Sequence, residues 1–293
     1  MSKGRNTIQL NINTTHYIAG TNRFRYVLPA PMDLTKNNPT MAISHYAVYN
    51  STYNISSALG NNKYSITWVD GTTKEFVIDD GYYSFSDLNL NLQYNMASEK
   101  WFLQNTTTSS QAYYFIACQA NDIQYKSEID IFYVPSTMPS GYSIPSGATW
   151  SLPAQPTYPQ ITLSTGLQSI FGITSQSVMP ASQTIQTTDT GVPKNLTYLS
   201  NTYPVLSPVF CYTLGCNLIN NSVNANPTIF AQIPLTAGFG AMVTQMFSVS
   251  KMLTVNQGKY TFVEVTIYDQ NLTPLVLVDP EMSLSILLEF DDA

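Results

Sequence analysis

Few residues in this chain could do covalent chemistry. There are two histidines, His16 and His45, and a Ser-His-Asp or Cys-His relay would have to use one of them. Neither stands in a nucleophile motif. Met41, Ile43, Ala47 and Tyr49 alternate with their neighbours, which puts His45 on the apolar face of a strand as a hydrogen-bonded core histidine. The three cysteines, Cys118, Cys211 and Cys216, are too sparse and odd in number for a disulfide framework. Cys211 and Cys216 are spaced C-x4-C with no second cysteine pair and no nearby histidine. Zinc takes about four such ligands, so no metal site is expected. Gly238-Phe239-Gly240 begins like a dinucleotide fingerprint, but Val243 stands where the third glycine belongs. The strand-to-helix context that would present N–H groups to a pyrophosphate is also missing. It reads as a loop, and no cofactor is expected.

Glu128-Ile129-Asp130-Ile131 is the strongest catalytic candidate. It resembles the opening of the Glu-Ile-Asp-x-Glu signature of family 16 glycoside hydrolases, which are themselves jelly rolls. On a strand, residues i, i+2 and i+4 point the same way, so that signature lines up nucleophile, helper and acid/base. A retaining mechanism needs two carboxyls roughly 5–5.5 Å apart. Here position i+4 is Phe132 and the acid/base is absent. Gln124 and Lys126 on the flanking positions fit the solvated side of an ordinary strand. The chain is read as no enzyme, with a glucanase relic as the least favoured alternative.

The elements that would position these residues are strands. Ile8, Leu10 and Ile12 alternate with amides, and Phe24, Tyr26 and Leu28 alternate with Arg23 and Arg25. Residues 63–70 and 73–79 form a hairpin about Asp70-Gly71, with Tyr64, Ile66 and Trp68 on one side. Residues 112–119 read as a buried strand. Ile123, Tyr125, Ile129, Ile131 and Tyr133 read as one face of the next. From Pro135 to Pro208 proline, serine, threonine and glutamine dominate, which predicts long surface loops without central strands. Within them Ser164–Gly172 carries a hydroxyl cap, apolar spacing and a closing glycine, the marks of a short helix. Around residue 90 the pattern leaves helix and strand both open: Leu88, Leu90, Leu92, Tyr94 and Met96 alternate, yet Ser86-Asp87 is a good cap and Leu88, Leu92 and Met96 fall at helical spacing. Strands resume at 208–219, 228–234, 244–250, 259–269, 275–278 and 283–290.

Three strands before residue 51 and five main ones after residue 207 make the eight of a jelly roll. The expected fold is therefore mainly β: an antiparallel jelly-roll sandwich formed by 1–50 and 208–293. The inserted, loop-rich second domain is 51–207, with one or two short helices. Two sandwiches in series, split near residue 140, are the rival parse.

Composition narrows the role. Charged residues are 10% of the chain, against roughly 25% for an ordinary soluble domain. Free monomers rely on charge for colloidal solubility, so this surface is expected to be covered largely by neighbours. Residues 101–293 hold four lysines against eleven acids, a balance of −7, which disfavours nucleic acid as the main ligand. Lys3, Arg5, Arg23 and Arg25 form a basic amino-terminal region on an acidic body, read either as a minor nucleic-acid contact or as a solvated terminus. The first residues lack the apolar block of a signal peptide, and no apolar run approaches the ~20 residues of a membrane span. The sequence therefore reads as intracellular when made, and sequons such as those at Asn13, Asn50 and Asn195 as a by-product of high asparagine and threonine content.

The run Phe76-Val77-Ile78-Asp79-Asp80-Gly81-Tyr82-Tyr83-Ser84-Phe85-Ser86-Asp87-Leu88-Asn89 resembles a segment of the minor capsid (penton) proteins of virophages and Polinton-like viruses, in which a strand leads into a helix. Gly166–Gly172 is similar to a short helix of the same proteins, although Ile173 replaces their usual Phe. Val263–Asp269, Pro274-Leu275 and Leu284–Phe290 are similar to their last strands, with Asn271-Leu272-Thr273 where a glycine is usual. The resemblance touches most of the chain from residue 63 onward. It implies a helix after Gly81 and an upright jelly roll assembled as a homopentamer at the fivefold vertices of an icosahedral virion. The partners implied are further copies of itself and hexamers of a double-jelly-roll major capsid protein, with no small-molecule substrate. Lys3, Arg5, Arg23 and Arg25 would then face inward, toward scaffold, membrane or genome, and the protein would be made and assembled in a virus factory in the host cytoplasm. A virion-surface or fibre-type glycan-binding module is the main alternative.

Overall fold

The computed structural model describes residues 5–35, 38–108, 111–188, 190–220, 228–247 and 252–291. The chain divides into two compact units, Met1–Thr52 with Val209–Ala293, and Tyr53–Pro208. Three strands come first: β1 (Arg5–Asn13), β2 (Arg23–Asp33) and β3 (Thr40–Tyr49). The second unit holds β4 (Lys63–Thr67), β5 (Thr73–Val77), helix α1 (Phe85–Ser98), β6 (Phe102–Asn105), β7 (Ala112–Tyr114), β8 (Ile116–Asn121) and β9 (Lys126–Ile131). It continues with β10 (Tyr142–Ser143), β11 (Gln160–Leu163), α2 (Thr165–Phe171), β12 (Val178–Met179) and β13 (Leu196–Leu199). The first unit resumes with β14 (Cys211–Cys216), β15 (Ile229–Pro234), β16 (Met242–Met246), β17 (Leu253–Thr254), β18 (Lys259–Tyr268) and β19 (Met282–Asp291).

In the first unit one sheet runs β1-β19-β3-β16, with the two-residue β17 also on β3, and the other runs β15-β14-β18-β2. The pairings are antiparallel. This is the jelly roll that the strand count predicts. Its core takes alternate residues from both sheets, including Leu10, Ile12, Ile286 and Leu288 from one and Leu214, Cys216, Val263 and Val265 from the other. The segment 275–278, expected as a strand, is not one. Pro274 makes a lone bridge to Tyr268, and Leu277 is buried without joining a ladder.

β3 carries a correction to the face of His45. Ile43 pairs with Ile286 and His45 with the adjacent Ser285, so Ser44 is an extra residue without a partner on β19. Such a bulge inverts the alternation beyond it. Met41 and Ile43 point into the core before it, and Tyr46 and Val48 do so after it. His45, Ala47 and Tyr49 therefore face outward and are half-buried.

The second unit has its own core, built on Trp68. Its ring stacks on Trp101 at 5.4 Å and 6°, with the Trp150 ring edge-on at 5.1 Å. Strands β4 and β5 form the expected hairpin in a sheet ordered β12-β11-β4-β5. β11 is thus an interior strand inside the proline-rich stretch, contrary to the loop reading. Pro159 lies just before it and Pro180 after its partner β12, so no ladder N–H is lost. Residues 112–119 are split into β7 and β8, which belong to different sheets. Ile123 and Tyr125 are 98% and 70% exposed at the β8–β9 turn, where Tyr125 has φ +52°. They do not share the face of Ile129 and Ile131.

α1 is a helix. The Ser84 hydroxyl accepts from the Asp87 N–H, and the Asp87 carboxylate accepts from the Ser84 N–H, a reciprocal cap. Phe85, Leu88, Leu92 and Met96 are buried, while Leu90 and Tyr94, which alternation would have put beside them, are 61% and 74% exposed. α2 begins at the Ser164 cap and ends at Gly172 with φ +67°, where an added Cβ would lie 2.6 Å from the Thr202 carbonyl oxygen.

Candidate assembly surface

The residues that could do chemistry are held in structural roles. On β9 the Glu128 carboxylate accepts from Gln119 Nε2 at 2.9 Å and from Asn121 Nδ2 at 2.5 Å. Asp130 accepts from the Thr197 hydroxyl at 2.6 Å. Phe132, at the position a third carboxylate would need, packs its ring against Tyr113 at 5.7 Å. The His16 ring accepts from the Asn13 N–H at 3.1 Å, closing a single 3-10 turn, and lies on Tyr26. Cys211 and Cys216 are five residues apart on β14 and point to opposite faces, so they cannot share an ion. Among the described residues no three His, Cys, Asp or Glu side chains come together as metal ligands. Gly240 takes φ +75° in the loop before β16.

Of the basic residues, Arg23 and Arg25 come together on the outer face of β2. Register places Arg25 opposite Glu264 of β18. Arg25 donates to one Glu264 oxygen from Nε at 2.9 Å and Nη2 at 2.6 Å, and Arg23 lies 3.6 Å from the other. The Arg25 guanidinium also covers the Phe262 ring at 4.8 Å. The backbone of Arg5 pairs with Asp291 at the end of β1, and Lys3 lies outside the described residues. Sequence reasoning missed Glu264 as the partner, because the acid is distant in sequence and nothing local to Arg25 points to it.

The other sheet presents a different outer face. Its register forms rows: Asn11, Ser285, His45 and Met246, then Asn13, Ser283, Ala47 and Thr244. Tyr49 opposite Met242 extends the surface. None of these residues carries a formal charge if His45 is neutral. The Ser285 hydroxyl donates to Asn11 Oδ1 at 2.9 Å, and Met246 is 82% exposed. Among the described residues the same sheet ends in β1, whose one ladder partner is β19. Between Asn6 and Asn13 this edge carries neither a charge nor a proline, two of the devices by which proteins guard a free strand. A nearly neutral face continuous with an unguarded edge is chemistry for contact with another protein chain.

No protein-family model matches the chain, and no curated protein matches it. Among solved structures it is similar to the mavirus penton protein, at 10% identity and a TM-score of 0.46, over 99% of this chain and 100% of that one. It is also similar to a chain in the cryo-EM structure of the Sputnik virophage, at 12% identity and a TM-score of 0.43, over 97% of this chain and 98% of that one.

Proposed function

We propose that the protein is a capsid subunit that forms the vertex capsomer of an icosahedral virion, five copies closing a ring. The observation that carries this reading is the jelly roll whose β1-β19-β3-β16 sheet leaves a nearly neutral face and an edge without charge or proline from Asn6 to Asn13. The motif order that resembles penton proteins supports it from the sequence side. Five copies around an axis make heterologous contacts that close. Obligate interfaces bury roughly 2,000 Å² or more and resemble cut cores, in keeping with a chain that is only 10% charged. Hexamers of a major capsid protein would surround the ring. The role is assembly, with no reaction.

The first test is native mass spectrometry with negative-stain imaging of the purified protein. Rings of five subunits are expected, and a stable monomer at micromolar concentration would overturn the proposal. Within it, Lys3 and Arg5 face the particle interior, toward scaffold, membrane or genome, while Glu264 neutralises part of the charge of Arg23 and Arg25. Deleting residues 1–6 should lower the yield of genome-filled particles; unchanged yield would remove this inward role.

A further inference from the structure

The second unit contains a cleft that neither the fold nor the assembly reading uses. It has a volume of about 250 Å³, and its walls include Tyr113, Tyr133, Tyr142, Pro135, Pro139 and Asn195. Tyr113 is the middle residue of β7 and Tyr142 lies in β10, both in the sheet ordered β10-β6-β7. Their rings meet edge to face at 6.3 Å and 74°. Tyr113 is fixed further by edge contacts with Phe115 at 5.2 Å and Phe132 at 5.7 Å. The cleft therefore has rigid aromatic walls. Burial raises the pKa of the Tyr113 phenol, and the phenols of Tyr133 and Tyr142, which line the same cleft, add to the shift.

The polar groups of this cleft are unspent. Among the described residues, neither the three phenol hydroxyls nor the Asn195 carboxamide has a hydrogen-bond partner. Each of these groups can both donate and accept. No charged residue lines the cleft, so nothing there would neutralise a phosphate, a carboxylate or an ammonium ion. A few polar groups on aromatic walls are the usual anatomy of a small-ligand site. The complementary ligand is uncharged, carries several hydroxyls in a small volume, and offers a flat C–H face to an aromatic ring. A proline-rich peptide would use the ring faces but would supply only carbonyl acceptors to four groups that also accept.

We infer that the Tyr113–Tyr133–Tyr142–Asn195 cleft binds the pyranose ring of a neutral sugar. The site belongs wholly to the second unit, so it stands whether or not copies of the protein form a ring. The test is saturation-transfer NMR on the full-length protein. The probes are the methyl glycosides of glucose, galactose, mannose and N-acetylglucosamine, with a sialylated trisaccharide and a proline-rich peptide as further arms. Saturation of at least one neutral glycoside is expected. Tyr142→Phe keeps the ring and removes one hydroxyl, and should weaken binding about fivefold, the worth of one ordinary hydrogen bond. Asn195→Ala should act similarly at an exposed position. Tyr142→Ala should abolish the signal. No transfer to any neutral glycoside, transfer to the peptide or the acidic sugar alone, or equal binding by Tyr142→Phe and wild type would each overturn the assignment. Retained near-ultraviolet circular dichroism in every variant separates loss of the site from loss of the fold.

Discussion

Glu264 binds two arginines with one carboxylate, its side chain 14% exposed while those of Arg23 and Arg25 are 53% and 43% exposed. Exposed ion pairs contribute little, but this one has a two-nitrogen contact and a less exposed acid. Glu264→Gln should therefore cost about 1 kcal/mol in urea unfolding, and the loss should shrink in about 1 M salt, where the Debye length falls to about 3 Å. An unchanged midpoint at low salt would mean the contact is only geometric. The cysteines give a second prediction. Burial pushes Cys118 and Cys216 up to about 12 from an ordinary 9.0, so both stay protonated and unreactive at pH 8. A disulfide-exchange reagent should label them only after denaturant is added. The unfolded chain releases these protons near pH 9 while the folded one keeps them, so stability should fall as pH rises from about 9 to about 12. At this scale the sequence was a fair guide to identity and a poor one to partners. Phe132 could be read as the residue that ends a catalytic motif, whereas the outward face of His45 depended on a bulge at Ser44 that alternation does not announce.

Helix α1 shows how two signals in one segment are decided. Leu88, Leu90, Leu92, Tyr94 and Met96 alternate like a strand, but the Ser84–Asp87 cap satisfies the first helical donors, and the helix buries Leu88, Leu92 and Met96 along one stripe. Ser84→Ala should cost about 1 kcal/mol, read from the loss of helical circular dichroism with denaturant. A shift below a few tenths would show that packing alone holds the helix. The strands whose patterns were clean, β1, β4 and β19, were legible because each has one wet and one dry face. The failures have a common cause. Interior β11 looked like loop because prolines flank it. Ile123 and Tyr125 looked like core by residue type, but the β8–β9 turn leaves both exposed, Tyr125 with its ring against that of Tyr203 at 5.7 Å. Hydrophobic pattern reports what a residue prefers, and tertiary context decides whether it is granted.

For the molecule as a whole, strand number and alternation made the jelly roll legible before any coordinates, whereas the order of strands within its sheets was not. Nor was the outer face, because its near-neutrality appears only when Asn11, Ser285, His45 and Met246 are brought into one row from four separate strands. Assembly through this face makes a direct prediction. Asn11→Lys with Thr244→Lys puts two cations on exposed positions of it, and like charges across the contact should leave a folded monomer by mass photometry. Rings that persist in the double variant would place the contact elsewhere on the surface.

The pairing of β1 with β19 also sets a timetable. β1 leaves the ribosome long before β19, its ladder partner among the described residues, and β3 likewise waits for β16, β17 and β19. Tyr53–Pro208 has its own core and can condense first. At ~5–20 residues per second, the opening strands spend on the order of tens of seconds without their neighbours. During that interval their apolar stripes, Leu10 and Ile12 among them, are available to any other nascent chain. Closing the jelly roll is thus a late, long-range event. A crowded polysome would favour strand exchange between neighbouring copies over a single chain closing on itself.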